Sequence, residues 1–108
     1  AELGRTIGAA TGTTFRFRNT VDSQPALADA RVMGFIETGV RQLGVTAQRM
    51  PSGAGHDAQE LARIAPMGMI FIPSVGGISH SPREFSRPED ITNGANVLLH
   101  AVLAADAI

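Results

Sequence analysis

The sequence predicts an α/β fold with a mostly parallel sheet. Three observations carry this. Met67 to Ile72 is almost wholly apolar and shows no alternation, as a strand buried on both faces would. Met33, Ile36, Val40 and Leu43 step by three and four, the mark of a helix with one apolar stripe. Strand-like and helix-like stretches alternate along most of the chain.

Residues 1–11 are small and polar and show no clear period. From Thr13 to Arg18 the pattern alternates, Phe15 and Phe17 against Thr14, Arg16 and Arg18, which predicts a half-buried strand. After a connector from Val21, Ser23 is the expected N-cap and Pro25 falls in the first turn of the first helix. Gly44 follows Leu43 as the expected C-terminal cap. Val45 to Met50 reads as a short strand, and His56 to Ile64 as a short helix with Leu61 and Ile64 inward. Pro73 ends the apolar run, and residues 74–85 form a long loop. The last helix opens on a capping box, Ser86 with Glu89, and buries Ile91, Ala95, Leu98 and Val102. His100 then falls on the solvent side.

Composition narrows the function. The chain has 108 residues, a net charge of −1 and no Cys. This is one domain or a piece of one, able to bury roughly two thirds of its unfolded surface. There is no electrostatic case for nucleic acid or an anionic membrane. Disulfides and thiolate metal sites are excluded, and a cytoplasmic location is expected. No apolar run approaches the roughly 20 residues of a membrane span. Without an initiator Met or a signal-peptide pattern, the start reads as processed, trimmed or engineered.

Two Gly-rich stretches each deliver a histidine after a strand-like run: Pro51-Ser52-Gly53-Ala54-Gly55-His56-Asp57-Ala58 and Gly76-Gly77-Ile78-Ser79-His80-Ser81-Pro82-Arg83-Glu84. If strands 45–50 and 67–72 are parallel neighbours, both loops leave the carboxyl edge of the sheet, where ligands bind in open α/β folds. Imidazole is a common metal ligand, and Gly76-Gly77 lets the backbone approach an ion, so His80 is a candidate ligand. Glu84 is a candidate supporting or substrate-contacting group. Spacing alone does not choose between that reading and a surface histidine without a role. His56 stands at a helix N-terminus, where the dipole favours a neutral imidazole able to donate to a substrate oxygen. The amides of Gly53, Ala54 and Gly55 could add donors for a carboxylate. A plain capping turn, with Ser52 or Asp57 serving the free amides, accounts for the same residues. The loose G-x-G-x-x-A match at Gly53 to Ala58 lacks the acidic residue that would hold a ribose, so a dinucleotide site is not expected. A catalytic zinc site usually needs three protein ligands, and only His80 has suitable surroundings here.

From Arg49 to Ala105 the chain resembles the C-terminal end of the hydantoinase/carbamoylase-type amidohydrolases of the M20 metallopeptidase superfamily. This group includes N-carbamoyl-L-amino-acid hydrolases, allantoate amidohydrolases and β-ureidopropionases. The matching residues are Arg49 to Ala58, Met69 to Ser74, Gly77 to Glu84, Pro88-Glu89-Asp90 and Asn93 to Asn96. The resemblance implies a metallopeptidase-like catalytic domain over residues 22–108, preceded at 1–21 by the tail and hinge of a lid and dimerisation domain. It implies cleavage of carbamoyl or ureido C–N bonds by a water activated between two divalent metals, Zn or Mn, Co or Ni, with a Glu as general base. His80 would be a metal ligand, and Ser52, Gly53, Ala54, Gly55, His56 and Glu84 would serve the substrate. Ser81 stands where the family commonly has Asn. The other ligands and the general base belong to an N-terminal part absent here, so the segment is expected to be inactive alone. Its implied partners are that missing part, a small carbamoyl or ureido substrate, and a second copy in a homodimer. The other possibility is an inactive remnant serving as a binding or assembly module. A strand cut from its sheet also predicts self-association or a tightly held partner.

Overall fold

A computed structural model describes residues 1–20, 22 and 24–107. Among these residues four α-helices are present: α1 (Glu2–Thr11), α2 (Ala30–Leu43), α3 (Asp57–Leu61) and α4 (Pro88–Asp106), with a 3-10 turn at Val75–Gly77. No strand ladder forms among the described residues. The runs expected as strands, 13–18, 45–50 and 67–72, are neither helical nor paired.

α1 was not foreseen. Gly4 and Gly8 lie one turn apart and leave a groove for the returning chain. A Cβ at Gly4 would meet the Phe17 ring at 2.5 Å, and one at Gly8 would meet the Thr13 carbonyl. Gly12 ends the helix in the left-handed region, φ 70°, which reverses the chain. Phe15 and Phe17 then fold back onto α1 with their rings stacked, centroids 6.1 Å apart. Residues 1–17 thus form a small unit of their own.

α2 begins later than the sequence predicts. Its N-cap is Asp29, whose carboxylate accepts from the amides of Arg31 at 2.8 Å and Val32 at 3.2 Å. The backbone decides the position: Asp29 N donates to Met67 O at 2.8 Å, so the helix starts where the chain is tied to the apolar run. Pro25 therefore precedes the helix, and Ser23 lies outside the described residues, as do Val21 and Ile108. Gly44 caps the C-terminus as expected, with φ 66° and its amide on the last-turn carbonyls.

Among the described residues α2 and α4 are the only helices in contact. They cross at Gly39, where a Cβ would lie 3.1 Å from His100 Cβ and 3.2 Å from Val97 O. Residues 67–72 lie beside this pair: Gly68 fits under Val32 and Ile36 of α2, and Ile72 fits against Gly94 of α4. Among the described residues the buried hydrophobic side chains are Val97 and Ala101.

α4 departs from expectation at both its start and its buried face. The Ser86–Glu89 capping box does not form. Pro88 occupies the first helical position and holds the preceding Arg87 extended, which makes Arg87 the N-cap. Ile91, Leu98 and Val102, expected inside, are more than half exposed. The buried residues are Val97 and Ala101, with Gly94 half-buried one turn earlier, about one residue around the helix, because a close crossing selects small side chains over large ones. His100 sits half-buried at the edge of the crossing, with Nδ1 2.9 Å from Gln42 Oε1. Leu61 and Ile64 are exposed too, at 56% and 84%, since no other helix among the described residues packs over the short α3.

The result is an open arrangement. The radius of gyration is 20.1 Å, where a compact domain of this length has about 13 Å. Accessible surface is 8916 Å², against about 5,700 Å² for a compact monomer of this size.

Candidate functional site

The loop carrying His80 is built from hydrogen bonds within itself. Its base is closed by Val75 N donating to Phe85 O at 2.8 Å. Ser74 Oγ donates to the carbonyl of Ile78 and reaches that of Phe85 at 3.5 Å. Gly76 and Gly77 take positive φ, 68° and 67°, and so form the tight turn that sends the chain outward. At the tip, Glu84 N donates to Ser81 O at 2.9 Å, and Arg83 N to Ser81 Oγ at 3.3 Å.

His80 itself has φ 56°, the positive-φ residue other than glycine among those described. A side chain in that region costs about 1–2 kcal/mol, so something must hold it. Glu84 does so: one carboxylate oxygen accepts the His80 backbone N–H at 2.7 Å. The imidazole is exposed, and its Nδ1 lies 2.8 Å from Ser79 Oγ. In the tautomer where Nδ1–H donates to Ser79, Nε2 keeps its lone pair and faces away from that contact.

His56 is also fixed through Nδ1. It caps α3, accepting from Ala58 N at 3.0 Å. An accepting Nδ1 leaves the proton of the neutral ring on Nε2, so the free end of the ring is a donor. The cap is His56 itself, where the sequence offered Ser52 or Asp57, and the exposed ring keeps its Nε2–H. In the preceding loop, Ser52 Oγ donates to Ala54 O at 3.1 Å and accepts from Ala54 N at 3.3 Å. The Ala54 amide is therefore occupied inside the loop, while the Gly53 and Gly55 amides bond to no described residue.

Just upstream, Arg49 Nε meets Glu37 Oε1 at 2.6 Å and ties the segment before the loop to α2. The bond to Arg49 holds the Glu37 carboxyl below its usual range, and the bond to Glu37 holds the Arg49 guanidinium above its own. Gln59 Nε2 donates to Gln24 O at 2.7 Å and anchors α3.

The two histidine loops share no hydrogen bond or ion pair among the described residues, so each is ordered by its own internal bonds. No cluster of three or more His, Cys, Asp and Glu able to hold a metal is present among them. Of the two loop imidazoles, His80 can keep an unshared lone pair on Nε2, whereas His56 carries its proton there. Sequence reasoning passed over Ser79 and Ser74, which orient the ring and pin the loop. Their one visible signal was a hydroxyl beside His80 and another directly after Pro73.

These two loops lie within a longer match to known proteins. The profile of "Peptidase family M20/M25/M40" matches residues 3–104, and the chain belongs to this family. Among its relatives is a protein named ureidoglycolate hydrolase from Oryza sativa subsp. japonica, 47% identical over 78 residues, which is 72% of this chain and 16% of that protein. An N-carbamoyl-L-amino acid amidohydrolase from Geobacillus stearothermophilus is also 47% identical over 78 residues, 72% of this chain and 19% of the relative. An allantoate amidohydrolase from Bacillus subtilis (strain 168) is 37% identical over 75 residues, 69% of this chain and 18% of the relative. The chain thus spans 16% to 19% of the length of these relatives. No helix among the described residues is long and apolar enough to cross a membrane.

Proposed function

We propose that this chain forms the carboxy-terminal part of a metal-dependent amidohydrolase that cleaves carbamoyl or ureido C–N bonds. The observation that carries the proposal is the His80 loop: a self-closed turn that spends backbone strain to present one imidazole outward. A surface histidine without a role has no need of that expense. The names of the relatives support the reaction class, N-carbamoyl amino acids, allantoate and ureidoglycolate each carrying a carbamoyl or ureido group.

His80 would hold one divalent metal through Nε2. The metal, Zn or Mn, Co or Ni, would supply an activated water and polarise the scissile carbonyl. The remaining ligands and the general base come from outside this chain. His56 would donate from Nε2–H to a substrate oxygen, joined by the Gly53 and Gly55 amides, with Ser52 holding the loop shape. Such donors suit an anionic or carbonyl oxygen and do not suit a cation. Residues 67–72 would enter a mostly parallel sheet supplied by the rest of the enzyme, and residues 1–21 would end its lid domain. The excess surface supports this, because a large apolar area is left for other parts to cover. The complete enzyme would be a cytoplasmic homodimer.

The test is a chimaera in which this chain replaces the matching segment of the Geobacillus stearothermophilus protein. Hydrolysis of N-carbamoyl-L-amino acids, with loss of at least a hundredfold in His80→Ala together with loss of bound metal, is the expected result. A folded chimaera whose activity and metal content ignore His80→Ala refutes the proposal. An inactive binding or assembly module would give a folded chimaera with no hydrolysis at all.

A further inference from the structure

We propose that Glu84 is a positioning residue for His80 and not a substrate contact. Its carboxylate acts through the His80 backbone, holding the residue in the left-handed conformation that turns the imidazole outward. The inference rests on the reading of His80 as a metal ligand.

Three observations carry it. The other residues with positive φ are glycines, which take that conformation without a Cβ in the way. His80 has no such freedom and needs a compensating bond. That bond is charge-assisted and short: His80 N to Glu84 Oε2, 2.7 Å, across four residues. The loop's other bonds, Val75 to Phe85, Ser74 to Ile78, and Glu84 N to Ser81, fix its base and its tip but do not touch the His80 amide. Glu84 is therefore the group that selects the backbone state of His80. The chemistry of the substrate points the same way. A carboxylate repels the anionic end of a carbamoyl amino acid, whereas it binds a backbone N–H well.

The structural test is NMR on this chain, with the φ of His80 read from scalar couplings in the wild type, Glu84→Ala and Glu84→Gln. Gln keeps an acceptor oxygen. Positive φ in the wild type and Glu84→Gln, and its loss in Glu84→Ala with the Gly39 and Val97 amide resonances unmoved, is the expected pattern. Positive φ persisting in Glu84→Ala overturns the proposal, as does its absence from the wild type. Should Glu84→Ala disturb the helix pair, Glu84→Gln decides alone: loss of positive φ there, with the helix pair intact, also overturns it.

The functional arm uses zinc and the chimaera described above. Glu84→Ala should weaken zinc binding about ten- to a hundredfold, leave KM little changed and be rescued by Glu84→Gln. A rise in KM with zinc binding intact makes Glu84 a substrate contact and overturns the proposal. If the NMR pattern holds while His80→Ala leaves zinc content unchanged, the metal reading of His80 fails and the backbone role of Glu84 stands.

Discussion

α2 contains two interior glycines, Gly34 and Gly39, and the structure gives them opposite roles. Around Gly34 a built Cβ meets nothing within 4 Å. Gly34→Ala should then show only the helix-propensity gain of about 1 kcal/mol. Gly39 has the same gain available. There, however, the Cβ lands 3.1 Å from His100 Cβ and 3.2 Å from Val97 O. One neighbour is backbone and the other a Cβ, so neither can swing aside. The helices must move apart by a few tenths of an ångström, and such overpacking costs about 1–3 kcal/mol. Gly39→Ala should come out neutral to destabilising by about 2 kcal/mol, so the two variants should differ by about 1–3 kcal/mol. Urea and thermal unfolding of this chain, followed by helical circular dichroism, measure the difference. Each kcal/mol moves Tm by roughly 4–8 °C at this size. Equal stabilisation by both substitutions would mean that α4 does not lie against Gly39, and the described crossing would be wrong.

Two electrostatic predictions follow from the same helix. The Val32 amide, then that of Arg31 and the Arg31 charge, hold the Asp29 carboxyl below its ordinary value of 3.8. A depressed carboxyl stabilises the fold above its unfolded value and loses that contribution as pH falls through the folded one. Helicity of α2 should therefore fall on acidification below 3.8, and Asp29→Asn should remove that step from a pH titration followed by circular dichroism. The Arg49–Glu37 pair is exposed, so salt should screen it. The Arg49 Nε–H resonance should move toward its free-side-chain position in 1 M NaCl (about a 3 Å Debye length), and Glu37→Gln should reproduce the effect at low salt. A resonance in Glu37→Gln unmoved from the wild type would show that the ion pair does not form.

The helices were legible where a local rule was decisive. Gly44 after a regular apolar stripe fixed the end of α2, and His56 marked the start of α3. Reading failed where a distant partner chose. Asp29 caps α2 because Met67, far along the chain, accepts its backbone N–H. The buried side of α4 is set by the Gly39 crossing, whereas an apolarity count picks the larger residues on the other side. α1 was hidden because its two glycines serve packing against Phe15 and Phe17 and give no hydrophobic period. The expected strands need neighbours to pair with, and among the described residues of this chain none pairs. At the site, both histidines were visible from their glycine-rich approaches. The Ser79 contact and the left-handed backbone of His80 were not, since each depends on a loop closure that only folding reveals.

Among the described residues, helix α1 touches neither α2 nor α4, and this shapes what stability can mean for the molecule. Cooperativity requires shared interfaces, because one part must lose its support when another opens. Among the described residues α1 shares none with either helix of the pair, so melting of the pair should leave α1 in place. A single folding free energy would then average two independent equilibria. The chain is better described by two numbers, one for a ring-against-glycine clasp and one for a helix crossing.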